Sequence, residues 1–239
     1  MTIVIALLRA FVSWLADLLA PPVCAACDAR LPRRSVFCAA CAHAVVHAEA
    51  QPAIDDVPPL VAFALFGGAV ADALRRLKYG GRSDLAVPLG HLARRAARSA
   101  RVLADVVIPV PLHPARLAER GYNQAALLGA EVAEELGVPL SARALSRTRH
   151  TPQQARLDRA SRLGNVAGAF RVRTPVQVRG RRVLLIDDVS TTGATLAACA
   201  AALREAGAAT VTALVVARTE QACDADDGDD GSCQSSRAS

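Results

Sequence analysis

The chain has 239 residues, 52% hydrophobic and 21% charged, a balance that excludes a disordered polymer and leaves ample material for a buried core. Only 3% are aromatic, so base-stacking platforms are scarce and the interior must be built from Ala, Val, Leu and Ile, as in helix-and-parallel-sheet proteins. The formal charge is +6, but residues 219–239 hold six acids and one base, leaving 27 bases against 16 acids elsewhere; such a body suits nucleic acid or a phosphorylated small molecule, and equally a solvated Arg-rich surface.

Residues 1–20 predict an amphipathic helix, with Arg9, Ser13 and Asp17 recurring every four residues on one face. A membrane span would carry Arg9 and Asp17 at depth, at about 2.5–3.5 kcal/mol each. A signal peptide would need a basic start and a small-residue cleavage site. The expectation is a cytoplasmic protein with no transmembrane segment. Pro21-Pro22 ends the helix. Residues 21–47 then present Cys24-x-x-Cys27 and Cys38-x-x-Cys41, separated by ten residues, a spacing that lets four thiolates converge on one structural zinc ion. A redox pair or two disulfides are the alternatives, disfavoured in a reducing compartment and by the doubling of the motif. An all-cysteine site is closed and does no chemistry itself.

Residues 48–59 read as a linker. From 60 to 218 the pattern alternates: a strand at Leu60–Phe66, a helix at Val70–Leu77, a second helix near 84–97 and a strand at Val106–Pro111. A loop follows from Leu112 to Tyr122. Asn123 opens a helix that runs to Leu136 and closes on Gly137. After a polar, Arg-rich stretch come a strand at Val183–Ile186, a helix at 194–206 and a strand at Val211–Val216. Strands alternating with helices specify an α/β fold with a parallel sheet and right-handed crossovers. Residues 219–239 read as an acidic disordered tail. Among 28 basic residues Lys78 is the single lysine, a candidate functional cation or a chance survivor of a drift to Arg.

The segment from Arg182 to Thr195 carries the chemistry. An apolar strand delivers Asp187 and Asp188 to its carboxyl end, where open α/β sheets bind ligands, and adjacent carboxylates there can accept hydrogen bonds from a ribose diol. Ser190, Thr191, Thr192, Gly193, Ala194 and Thr195 then form a hydroxyl-rich turn into a helix, whose free amides and positive dipole end suit a 5-phosphate. No GxxxxGK[ST] is present, which excludes a Walker-type loop. Arg116 and Arg120 in the first loop, and Arg147, Arg149, Arg156, Arg159 and Arg162 in the second, offer guanidinium forks to pyrophosphate or to a nucleic-acid backbone.

Leu184–Thr195 resembles the phosphoribosyl-pyrophosphate loop of type I phosphoribosyltransferases. With the four cysteines, Leu77-Lys78-Tyr79-Gly80-Gly81, Ile108-Pro109-Val110-Pro111-Leu112-His113, Glu119-Arg120-Gly121-Tyr122-Asn123-Gln124 and Thr151-Pro152-Gln153-Gln154, the chain is similar to the ComF competence family from about residue 3 to Arg218. The resemblance implies a type I phosphoribosyltransferase-like parallel sheet flanked by helices, behind a small N-terminal zinc-binding module. It also implies phosphoribosyl pyrophosphate or another ribose phosphate as ligand, with Mg2+ arriving on the pyrophosphate. Leu112–Asn123 would face the pyrophosphate, and a hood around 147–162 would turn Gln154, Arg156, Arg159 and Arg162 to the ligand. Ser190 stands where related enzymes often carry a bulkier apolar residue. Handling of single-stranded DNA, with a DNA-uptake helicase or ATPase as partner, is one implied role. The other is an active phosphoribosyltransferase joining a nitrogen nucleophile to ribose C1, with Asp187 and Asp188 as its catalytic pair.

Overall fold

The computed structural model describes residues 21–32, 35–50, 57–148 and 168–220. The expected helix at 1–20, the hood residues Gln154, Arg156, Arg159 and Arg162, and the tail beyond 220 lie outside them. A single parallel sheet organises the body, in the order β1 (Leu60–Leu65), β6 (Thr210–Arg218), β5 (Arg182–Ser190), β2 (Val106–Pro109). The middles of its central strands, Val183–Ile186 of β5 and Ala213–Ala217 of β6, are unbroken apolar runs because both faces are covered. Along β5, Leu184 and Ile186 face the core shared with α2 (Gly68–Tyr79), α3 (Ala86–Ser99) and α5 (Gln124–Leu136). Val183 and Leu185 face the other core, with α6 (Ala194–Glu205) and the antiparallel hairpin β3 (Leu145–Arg147) and β4 (Phe170–Val172). Each of these fully buried Leu and Ile side chains contributes about 1.5–3 kcal/mol of burial.

The cysteine segment, with its short helix α1 (Ala39–His43), adds Leu31 and Phe37 to the core that holds Leu74 and Leu77 of α2. Asn123 caps α5 as its residue type predicts: its Oδ1 accepts from the Ala125 amide at 3.0 Å while its Nδ2 donates to the Val110 carbonyl at 3.0 Å. Gly137 ends the helix in the left-handed region at φ 65°. No described helix is long and apolar enough to cross a membrane.

Three elements differ from expectation. The segment Leu112–Tyr122 is not all loop, because Pro114–Arg120 forms a short helix, α4, with Pro114 at its first position and His113 accepting from the Ala115 amide at 3.2 Å. Strand β5 continues four residues past Ile186, since β6 keeps pairing with it as far as Ser190 opposite Arg218. The hairpin β3–β4 brackets the Arg-rich stretch and packs against α6 through Leu145 and Phe170.

Candidate functional site

Two connections place the site. From β2 the chain passes through α4 and α5 to residues 139–141, which hydrogen-bond along the outer edge of β2: the Val107 amide donates to Pro139 O at 3.0 Å and the Ser141 amide to Val107 O at 2.8 Å. From β5 it passes through α6 to β6, on the opposite side of β5 from β2. The direction of winding therefore reverses between β2 and β5, and crevices form at the carboxyl ends of such strands. The Val110 amide to Ile186 O bond, 2.9 Å, continues the β2–β5 pairing one step past Pro109. Asp187–Ser190 extend further, with β6 alone as strand partner among the described residues.

Successive strand residues leave on opposite faces, so Asp187 and Asp188 depart from opposite sides of β5, while their carboxyl groups stay close enough to interact. Asp188 turns to the α2–α5 side and is only 2% exposed; its Oδ2 lies 2.6 Å from Lys78 Nζ at the end of α2, and its Oδ1 accepts from Gln124 Nε2 at 3.5 Å. Asp187, half-buried, turns to the α6 side, where Arg147 and Cys199 feel its charge. Burial, and then repulsion from Asp188, push the Asp187 carboxyl well above its ordinary 3.8. Burial and Asp187 together push the Cys199 thiol well up. Burial, and then Arg116, pull the Arg147 guanidinium down.

The raised Asp187 value has a measurable consequence. The folded state disfavours the carboxylate, so this group's contribution to stability is fully present below the unfolded value of 3.8 and is lost as pH rises through the folded value. Asp187→Asn is therefore expected to melt above the wild type at pH 7, with a gap that closes as pH falls towards 3.8. Superimposed melting curves at neutral pH would contradict the assigned environment.

After Ser190, which is buried at the strand end, residues 191–193 turn into α6. Gly193 is the N-cap in the left-handed region (φ 77°); it offers no side-chain acceptor to the first-turn amides, and a Cβ there would meet Val57 Cγ1 at 3.3 Å. The turn is braced from outside by the Thr219 amide on Ser190 O (2.9 Å) and Thr219 Oγ1 on Thr191 O (3.2 Å). Thr191 is exposed and Thr192 and Thr195 half-exposed, and the Ala194 amide donates to Thr192 Oγ1 at 3.5 Å, so a polar first turn borders Asp187 and Asp188.

On the Asp188 side, Lys78, Tyr79, Gly81, Arg116, Glu119, Arg120 and Tyr122 line a cleft of about 400 Å3. Arg120 donates from Nη1 to Gln124 Oε1 and lies 5.4 Å from the ring centroid of Tyr79; the Tyr122 hydroxyl donates to Leu77 O. Three cations thus share one hollow, joined to the acidic strand end through Lys78 and through the Arg120–Gln124–Asp188 chain. Gln124, 4% exposed, has no role assigned from sequence; its place as the one polar residue on the buried face of α5, beside Ala125, Leu128 and Val132, is the available signal. A hollow of about 440 Å3 beside the amino half of β1 is remote from this convergence and is walled largely by Val61, Phe63 and alanines.

The Sγ atoms of Cys24, Cys27, Cys38 and Cys41 all lie within 4.8 Å of one another, with Cys27 and Cys38 3.8 Å apart, and none is in a disulfide. Sulfurs about 2.3 Å from a tetrahedral zinc would be separated by about 3.8 Å, so the cluster fits zinc. Burial opposes ionisation of Cys24, but hydrogen bonds from the backbone at Cys38, Cys27 and Ala26 prevail and bring it to about 7. Burial, with the neighbouring thiols, pushes Cys41 up to about 12. A bound cation would ionise all four.

A parallel sheet that reverses its winding between β2 and β5, a glycine-capped hydroxyl turn there, and a four-cysteine module define the class: a phosphoribosyltransferase-like α/β protein with an N-terminal metal-type knuckle. A model of the phosphoribosyl transferase domain matches residues 123–237. The DNA utilization protein YhgH of Shigella flexneri is 32% identical over 207 residues, covering 82% of this chain and 90% of that protein. Competence protein F of Haemophilus influenzae is 34% identical over 140 residues, 56% of this chain and 61% of that one. The adenine phosphoribosyltransferase of Nocardia farcinica is 60% identical over 45 residues, 19% of this chain and 24% of that enzyme. The chain belongs to the ComF family of phosphoribosyltransferase-domain proteins.

Proposed function

We propose that this chain binds phosphoribosyl pyrophosphate, or a closely related ribose phosphate, and acts in the handling of single-stranded DNA during natural competence. The observation that supports this most is the switch point between β2 and β5, where an anion-ready helix start directly follows an acidic strand end. In this reading the 5-phosphate sits on the amides of Ala194 and Thr195 and the hydroxyls of Thr191, Thr192 and Thr195, with Ser190 behind them. The ribose hydroxyls meet Asp187, the more accessible carboxylate, with Asp188 held in register by Lys78 and Gln124. Lys78, Arg116 and Arg120 face the pyrophosphate, whose own oxygens and water supply most of the Mg2+ coordination. Gln154, Arg156, Arg159 and Arg162 belong to the hood over the ligand. The cysteine knuckle holds structural zinc, and reduced thiolates of this kind belong in the cytoplasm.

The DNA role draws on what the relatives are called, a DNA utilization protein and a competence protein, and on the basic cleft. A helicase or ATPase of the uptake apparatus is the partner class such a role requires. Anisotropy of a labelled single-stranded oligonucleotide, measured across a salt series, tests it. Three phosphate contacts from Lys78, Arg116 and Arg120 alone give a log–log slope of about −2. Affinity indifferent to salt would overturn the DNA contact.

A second reading, an active phosphoribosyltransferase, is favoured by the 45-residue match to an adenine phosphoribosyltransferase. Positioning of ribose and stabilisation of the departing pyrophosphate would then supply the rate. Pyrophosphate released in the presence of a nitrogen nucleophile distinguishes the two readings.

A further inference from the structure

Asp28 follows Cys27 in the knuckle and sits in the left-handed region at φ 59°, its amide bonded to Cys24 O at 3.0 Å. Its carboxylate takes two arginines of the sheet domain. Arg76 Nη2 reaches Oδ2, and Arg82 Nη1 donates to Oδ1 at 3.0 Å. Arg76 also donates to Ala25 O at 3.0 Å, so it grips the knuckle twice. Arg82 is held in turn by a bidentate pair with Asp84, at 2.9 and 2.8 Å.

Those two arginines bracket a short stretch: Leu77, Lys78, Tyr79, Gly80 and Gly81. Lys78 is the ion partner of Asp188, and Tyr79 lies beneath Arg120. Past Tyr79 the stretch leaves the helix through Gly80 and a left-handed Gly81 (φ 65°), and Leu77 is its last fully buried side chain, so its conformation is not fixed by core packing alone. One carboxylate of the knuckle thereby ties down both ends of the segment that forms a wall of the cation cleft.

We propose that Asp28 is a positioning residue coupling the four-cysteine module to the cation cleft. Metal in the knuckle fixes the turn that presents Asp28; Asp28 holds Arg76 and Arg82; and these keep Lys78 and Tyr79 set for a polyphosphate anion. The inference rests on the anion reading of the cleft given above. An exposed ion pair alone contributes little, but two arginines, a carbonyl and a second carboxylate share this contact. Coupling between two sites is reciprocal: an anion in the cleft must strengthen the hold on metal by the same factor that metal strengthens the hold on the anion.

The test uses the full zinc-loaded chain, with inorganic pyrophosphate as the probe in calorimetry and a chromophoric chelator to read metal affinity. Asp28→Ala should retain one zinc per chain yet bind pyrophosphate about 5–30-fold more weakly. Chelation should weaken wild type to a similar extent and leave the variant little changed. Arg82→Gln, which breaks the latch without touching the knuckle, should reproduce the loss, and Asp72→Asn, which breaks an exposed pair on the outer side of α2, should not. Hydrogen exchange at the amides of residues 80–85 should accelerate in Asp28→Ala and Arg82→Gln. Wild-type pyrophosphate affinity in both latch variants, with unchanged exchange, overturns the proposal. Wild-type protein that ignores pyrophosphate refutes the anion reading instead, and the exchange data then still decide whether Asp28 orders residues 80–85.

Discussion

Asp188→Ala is expected to destabilise the protein by about 3 kcal/mol in chemical denaturation, because it leaves the Lys78 ammonium facing a buried strand end with its counter-charge gone. Breaking one side of a buried pair costs roughly 3–5 kcal/mol, and Lys78, whose side chain keeps 22% exposure, sits at the lower end since it can turn towards water. Gln124 would lose its acceptor in the same stroke. Removing both charges, Lys78→Met with Asp188→Leu, should recover most of the loss, since an apolar replacement of an ion pair is often neutral. Anion affinity should not return with it. A single Asp188→Ala variant as stable as wild type would mean that the ion pair plays no part in holding α2 against β5.

Metal removal should have the other large effect. Leu31, Phe37, Val36, Val45 and two alanines are too little apolar surface to fold residues 21–47 alone, and metal supplies about 10–16 kcal/mol in isolated zinc-finger peptides. Protein purified without chelators should carry one zinc per chain by elemental analysis. Stoichiometric chelation, or Cys27→Ser with Cys38→Ser, should open residues 21–47 to limited proteolysis while 60–148 stay resistant. A metal-free chain with a protected knuckle would refute the metal assignment.

The parts legible in the sequence were those governed by local rules. Val183–Ile186 reads as a buried parallel strand because no polar residue interrupts it, Val211–Val216 does so with Thr212 as its one polar residue, and α5 was bounded by Asn123 and Gly137, whose capping chemistry is local. The cysteine spacing predicted the cluster for the same reason. What escaped depended on distance or on weak periodicity. Helix α4 is seven residues with three charges and buries none of them, so no apolar stripe marks it. Strands β3 and β4 are three residues each, separated by a long insertion. The opposed directions of Asp187 and Asp188 follow from the strand's period of two, but only once β5 is known to run to Ser190, which its pairing with β6 decides. The partnership of Gln124 with Asp188 spans 64 positions, and that of Asp28 with Arg82 spans 54. Neither leaves a trace in local pattern.

Calorimetric titration with phosphoribosyl pyrophosphate and Mg2+, comparing wild type with Asp187→Asn, addresses the central assignment most directly. The variant is expected to be folded and no less stable at pH 7, so lost binding cannot be blamed on unfolding. Wild type should bind one ligand per chain, and Asp187→Asn should weaken that binding about 10–100-fold, the scale of a charged hydrogen bond to a sugar hydroxyl. Equal affinity in the two proteins, or no heat from wild type, would contradict a ribose phosphate held where β5 gives way to α6.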